Sequence, residues 1–124
     1  MKYRTMGKLG IRSSLFGLGC MRFNGEASGD SIIDEAKAIS LIRRAIDGGV
    51  TYLDTAYIYL DKTSETVLGK ALRDGYRERV TIATKVPSEA VKNRADMEAL
   101  LTEELGKLQT DHIDFYLKIG RAHV

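Results

Sequence analysis

The feature that most restricts this chain is a repeated switch in hydrophobic period. Apolar runs of strand length at 15–21 (LFGLGCM), 50–56 (VTYLDTA), 80–86 (VTIATKV) and 113–117 (IDFYL) alternate with stretches whose apolar residues recur every three or four positions. The first such stretch covers 34–48. There Ala38, Ile39, Ile42, Ala45 and Ile46 share a stripe, and Gly48-Gly49 is the stop. The second follows a cap at Thr63 or Ser64, gathers Val67, Leu68, Ala71 and Leu72 on one face and ends by Gly75. Gly69 is its weak point, because a mid-helix glycine costs backbone entropy. The third covers 93–108, with Met97, Leu100, Leu101, Leu105 and Leu108 as the expected buried stripe. Pro87 has no N–H to extend a ladder, so the third strand should stop near it.

Strand, helix, strand in strict alternation predicts βα units on a parallel sheet with right-handed crossovers. The period of about 30 residues is that of such units, not of a solenoid. An open doubly wound sheet and a (β/α)8 barrel both satisfy the pattern. Residues 2–14 add a hairpin, with 3–5 and 11–13 flanking the turn at 7–10, and the run 15–21 reads as a strand buried on both faces. The Gly-rich polar stretch 24–30 reads as a loop. At 124 residues the chain is only about half the ~250 typical of a complete barrel.

Composition narrows the functional classes. With 44% hydrophobic and 29% charged residues the chain is ordinary for a globular domain. Its net charge of +2 is spread over both signs, which argues against a nucleic-acid partner. Cys20 is the sole cysteine, so neither a disulfide framework nor a Cys-ligated metal centre can be built within this chain. The start, MKYRTMGKLG, lacks an apolar signal core, and no window approaches ~18 apolar residues; no membrane association and a cytoplasmic setting are expected.

Three groups of residues bear on chemistry. Gly17-Leu18-Gly19 stands where a dinucleotide fingerprint would, but Arg22 occupies the third glycine position and a polar loop follows, so no helix N-terminus faces a pyrophosphate. Close packing at the strand end accounts for the pair. Asp54, at the end of the second strand, and Tyr59, in the loop after it, fall on the C-terminal face where barrel enzymes keep their chemistry. By themselves they also fit a turn-capping carboxylate and a tyrosine packed over the barrel mouth. Lys85 ends an otherwise dry strand, where an unpaired ammonium is costly; either it snorkels to water or it pairs with Asp54 and sits against the Tyr59 hydroxyl. The paired arrangement is a proton donor. A free phenol titrates near ~10, and a cation held beside a phenol stabilises the phenolate and makes it a better acid.

GVTYLDTAYIY, then SETVLGKAL, then VTIATKV resemble the aldo-keto reductase family, with its Asp-Thr-Ala-x-x-Tyr stretch and its Lys at the end of the next strand. YRTMGKLGIRSSLFGLGCMR is similar to that family's N-terminal hairpin and first barrel strand, so the likeness spans residues 2–117. GCMR and LQTDHIDFYL look like the bacterial branch whose longer members carry a C-terminal iron–sulfur segment. The resemblance implies a partial (β/α)8 barrel: the hairpin plus about four parallel strands and three helices. It implies an oxidoreductase passing hydride between NADP(H), or NAD(H), and an aldehyde, ketone or alcohol. Tyr59 would be the general acid, Lys85 and Asp54 would tune it, Gly19, Cys20, Met21 and Asp54 would lie near the nicotinamide, and Tyr57 would be wall.

One family element is absent. The histidine expected just after the fourth strand is replaced by Ile119; His112 lies at the strand's opposite end, and His123 is four positions off. The tail IGRAHV corresponds to a translated sequencing adapter, so 1–117 is expected to be the N-terminal half of the barrel and 118–124 a non-native read-through. Three alternatives to a working reductase follow: a regulatory module that binds the nicotinamide without turnover, an inactive truncated chain, and a half-barrel that dimerises to complete itself.

Overall fold

A computed structural model of the chain describes residues 1–23 and 34–119. The loop expected at 24–30, and His123, lie outside the described residues. β1 (Tyr3–Thr5) and β2 (Arg12–Ser14) form the antiparallel hairpin, pairing Tyr3 with Ser14. β3 (Leu18–Gly19), β4 (Tyr52–Asp54), β5 (Thr81–Pro87) and β6 (Phe115–Ile119) form a second sheet in the order β3-β4-β5-β6, every pair parallel. Its helices are α1 (Glu35–Asp47), a single turn α2 (Tyr59–Lys62), α3 (Ser64–Ala71) and α4 (Arg94–Leu108).

Strand order decides the architecture. A doubly wound sheet reverses direction from a central strand, whereas here each strand lies beside its predecessor, as in the arc of a barrel. The helices follow in the same sense, α1 against α3 and α3 against α4. The core lies between them and one sheet face, where Ile42, Leu53, Leu68, Ile82 and Leu108 are buried. Strand alternation sends Leu53 and Ile82 to that face and Tyr52, Asp54, Ala83 and Lys85 to the other, the inside of the barrel. On this inner face Tyr52 and Phe115 meet with ring centroids 5.6 Å apart. The caps follow the residue types: Asp34 accepts from the Lys37 N–H and Asn93 from the Asp96 N–H.

Several expectations shift. The run 15–21 pairs at Leu18–Gly19 and is not buried on both faces; Leu15, Phe16 and Met21 are exposed, and among the described strands β3 pairs with β4 alone, at the edge of the sheet. The third helix buries Glu104 and Leu108, while Met97, Leu100, Leu101 and Leu105 are half-buried, since α4 is the last helix among the described residues and packs chiefly on α3. α3 ends at Ala71, well before Gly75. Ser64 does not cap it, its hydroxyl being used elsewhere. β5 ends at Pro87, opposite Ile119, where the proline is expected to stop it. β6 itself runs through Ile119.

The N-terminal end of the sheet is closed by Arg77. Its guanidinium bonds Asp114 at 3.0 Å, the Val80 carbonyl at 2.9 Å and Thr110 at 3.0 Å, while Asp114 Oδ2 also accepts from the Ile82 N–H at 2.8 Å. Asp114→Ala removes the carboxylate partner of a largely buried guanidinium and the side-chain acceptor of the Ile82 N–H. We expect it to cost about 2–3 kcal/mol, read as a shift in the urea midpoint.

Candidate active site

At the opposite, C-terminal end of the sheet three side chains converge. Asp54 ends β4, where it stands beside Ala83 of β5 and Gly19 of β3. Two residues beyond Ala83, Lys85 points to the same inner face, and its Nζ donates to Asp54 Oδ1 and to the Thr55 carbonyl at 2.8 Å. The same Nζ lies 4.9 Å from the centroid of the Tyr59 ring. Burial alone would depress the Lys85 ammonium, but the bonds it donates to Asp54 and Tyr59 outweigh it and hold the group above the ordinary lysine range. Lys85 is therefore a fixed cation, not a snorkelling one: its side chain is 15% exposed and that of its carboxylate partner 33%.

The backbone around Tyr59 is unusual. Leu60, Asp61 and Lys62 all have φ between 52° and 64°, the left-handed region that non-glycine residues seldom occupy. Before it, the Tyr57 N–H bonds the Lys85 carbonyl at 3.0 Å, which ties the tyrosine-bearing segment to the end of β5. The Tyr57 ring has the Lys107 Nζ at 4.3 Å and the Lys62 Nζ at 5.4 Å from its centroid.

The first-strand residues fall into three different settings. Gly19 is exposed at the end of β3, and a Cβ there would meet nothing within 4 Å. Met21 is 48% exposed. Cys20 turns the other way: its thiol is fully buried in the core, and burial, then the Asp54 charge, push it up to about 12, so it is an inert packing group. Its backbone is the part engaged with the site, the N–H bonding the Asp54 carbonyl at 2.8 Å and the carbonyl accepting from Ser64 Oγ at 2.7 Å. Because the Ser64 proton is spent there, Thr55 Oγ1 is the donor in the buried Thr55–Ser64 bond of 2.8 Å.

This hydroxyl pair and the Thr55 carbonyl were not evident from sequence. Ser64 reads equally well as a helix cap, and a carbonyl acceptor leaves no mark on residue type. Elsewhere, a cleft of about 660 Å³ at the N-terminal end is lined by Arg77, His112 and Asp114 among others. Those groups are bonded to one another, His112 also to Asp111 at 2.6 Å, so this concavity is the structural end of the sheet.

The model of the aldo/keto reductase family matches residues 16–118, which include every element from β3 through most of β6. This chain belongs to the aldo/keto reductase family. Among curated relatives, aldo-keto reductase YhdN of Bacillus subtilis is 38% identical over 94% of this chain and 37% of its own length. Among solved structures, the thermostable aldo-keto reductase Tm1743, in complex with the inhibitor epalrestat, superimposes with a TM-score of 0.82 at 30% identity, covering 95% of this chain and 42% of that one. An aldo-keto reductase from Klebsiella pneumoniae in complex with NADPH gives 0.77 at 31% identity, covering 93% and 38%. The chain thus spans well under half the length of these aldo/keto reductases. No helix among the described residues is long and apolar enough to cross a membrane.

Proposed function

We propose that this segment carries the proton-donor half of a nicotinamide-dependent carbonyl reductase, with Tyr59 as general acid, Lys85 as its tuning cation and Asp54 as the residue that holds Lys85 in place. The observation that carries this reading is the Lys85 ammonium itself, bound by Asp54 and the Thr55 carbonyl and seated beside the Tyr59 ring at the barrel mouth. An ammonium so placed stabilises the negative charge a phenol acquires as it gives up its proton. The Tyr59 hydroxyl would then protonate a substrate carbonyl oxygen as charge develops on it.

NADPH is the cofactor bound by the Klebsiella pneumoniae relative, and NADP(H) is the corresponding choice here, with NAD(H) the alternative. The residues present fit its nicotinamide end: Gly19 leaves open space at the end of β3 beside Asp54, and Met21 is exposed just beyond it. When bound, the reduced nicotinamide supplies the hydride. Substrates of this site are aldehydes or ketones, or the corresponding alcohols in reverse.

The test is Tyr59→Phe in the gene product that carries this segment. We expect carbonyl reduction to fall by at least about 100-fold, the range for losing a general acid, with NADPH affinity nearly unchanged. Binding of NADPH by the unmodified protein without turnover of any carbonyl would replace this reading with that of a nicotinamide-binding regulatory module.

A further inference from the structure

Away from the barrel mouth, the layer between sheet and helices holds charge that the proposed reaction does not use. Glu65 of α3 and Glu104 of α4 are both fully buried, at 1% and 0% exposure. Glu65 has a partner on one side, where Thr84 Oγ1 of β5 donates to its Oε1 at 2.6 Å, and Lys107 Nζ lies 4.0 Å from its Oε2. Among the described residues no well-formed hydrogen bond reaches either oxygen of Glu104, and the one group beside it able to share a proton is the Tyr116 hydroxyl of β6. The remaining charged group is Glu103, which is half-exposed and 3.2 Å from Lys107. The facing groups are therefore Glu65 from α3, Glu103 and Lys107 from α4, Tyr116 from β6 and the neutral Thr84 from β5.

Counting charge decides the protonation. Two ionised carboxylates against one ammonium, itself shared with Glu103, would leave an uncompensated negative charge in a dry layer, which is costly. A single proton removes it. Glu65, with the Thr84 hydroxyl and the Lys107 ammonium, is the better place for the charge, and Glu104, with no cation and only the Tyr116 hydroxyl beside it, is the better place for the proton.

We propose that Glu104 is a neutral carboxylic acid in the folded chain, so that the α3–α4–β6 junction holds one proton for two glutamates and becomes a pH-dependent fastening of the last helix. Burial first, then the Glu65 charge, lift the Glu104 carboxyl from 4.5 to about 8. The sign follows from proton counting. Below 4.5 both the folded and unfolded chains carry the proton; between 4.5 and about 8 only the folded chain does, so stability falls as pH rises; above that both are ionised and the dependence ends.

The test compares urea unfolding of the chain with that of Glu104→Gln across the interval from 4.5 to about 8. The glutamine keeps the shape and cannot titrate. We expect the unfolding constant of the unmodified chain to grow relative to the variant by severalfold per pH unit, with about tenfold the ceiling for one proton. Parallel curves overturn the proposal. Should the variant fail to fold, infrared spectra of the unmodified chain decide alone: a protonated-carboxyl band present at neutral pH and lost near 8 supports the assignment, and its absence at neutral pH refutes it.

Discussion

Gly69→Ala will destabilise the chain by about 3 kcal/mol or more, although helix propensity alone predicts a gain near 1 kcal/mol. A Cβ at this position would stand 2.3 Å from the Lys107 carbonyl oxygen, 2.9 Å from the Leu108 carbonyl carbon and 3.0 Å from its Cα. All three are backbone atoms, so no rotamer change relieves the clash. Relief requires α3 to draw away from the last turn of α4, where Leu68 and Leu108 are buried at 0% and 1% exposure. That turn cannot shift freely, because Gln109 closes it in the left-handed region at φ 54° and the chain then enters β6. Gly106→Ala is the control: it lies in α4, the facing helix, with nothing within 4 Å of an added Cβ, and it should stabilise by about 0.5–1 kcal/mol. Urea midpoints of the two variants check the pair. A neutral Gly69→Ala would mean that α3 and α4 do not cross at this glycine.

Gly69 also shows where reading the sequence falls short. Propensity marks it as a defect in α3, whereas the structure makes it the contact point between two helices; which backbone approaches a glycine depends on packing, not on its neighbours in sequence. Element type was legible wherever the period was long and clean, as in α1, whose stripe of Ala38, Ile42 and Ile46 is the stripe that is buried. In α4 the apolar stripe gives no sign of Glu104, because no hydrophobicity pattern expects a carboxylate at 0% exposure. Asp54, Tyr59 and Lys85 could be placed at one end of the sheet from strand lengths alone. The turn Leu60–Lys62 could not, since none of its three residues is of the type that favours positive φ except Asp61.

The second large effect concerns Lys85→Met. Methionine fills a similar volume, so the change removes the charge and little else, and carbonyl reduction should fall by about 10³-fold, a loss greater than that of a single hydrogen-bond donor to a developing oxyanion. The reason is that one group performs two tasks. It stabilises charge on the Tyr59 oxygen, and through Asp54 and the Thr55 carbonyl it draws the ends of β4 and β5 to one point at the mouth. Stability should respond far less. Asp54 is a third exposed and water can screen its freed carboxylate, which limits the penalty to about 1 kcal/mol, while the cost of half-burying an ammonium disappears. The two readouts therefore separate, and their ratio is the test. A variant that loses its fold in step with its activity identifies Lys85 as a structural tie, and one that keeps turnover within tenfold removes it from the chemistry. Lys85→Arg should not restore the rate, because a planar guanidinium cannot hold three donors around one point as the ammonium does between Asp54, the Thr55 carbonyl and Tyr59.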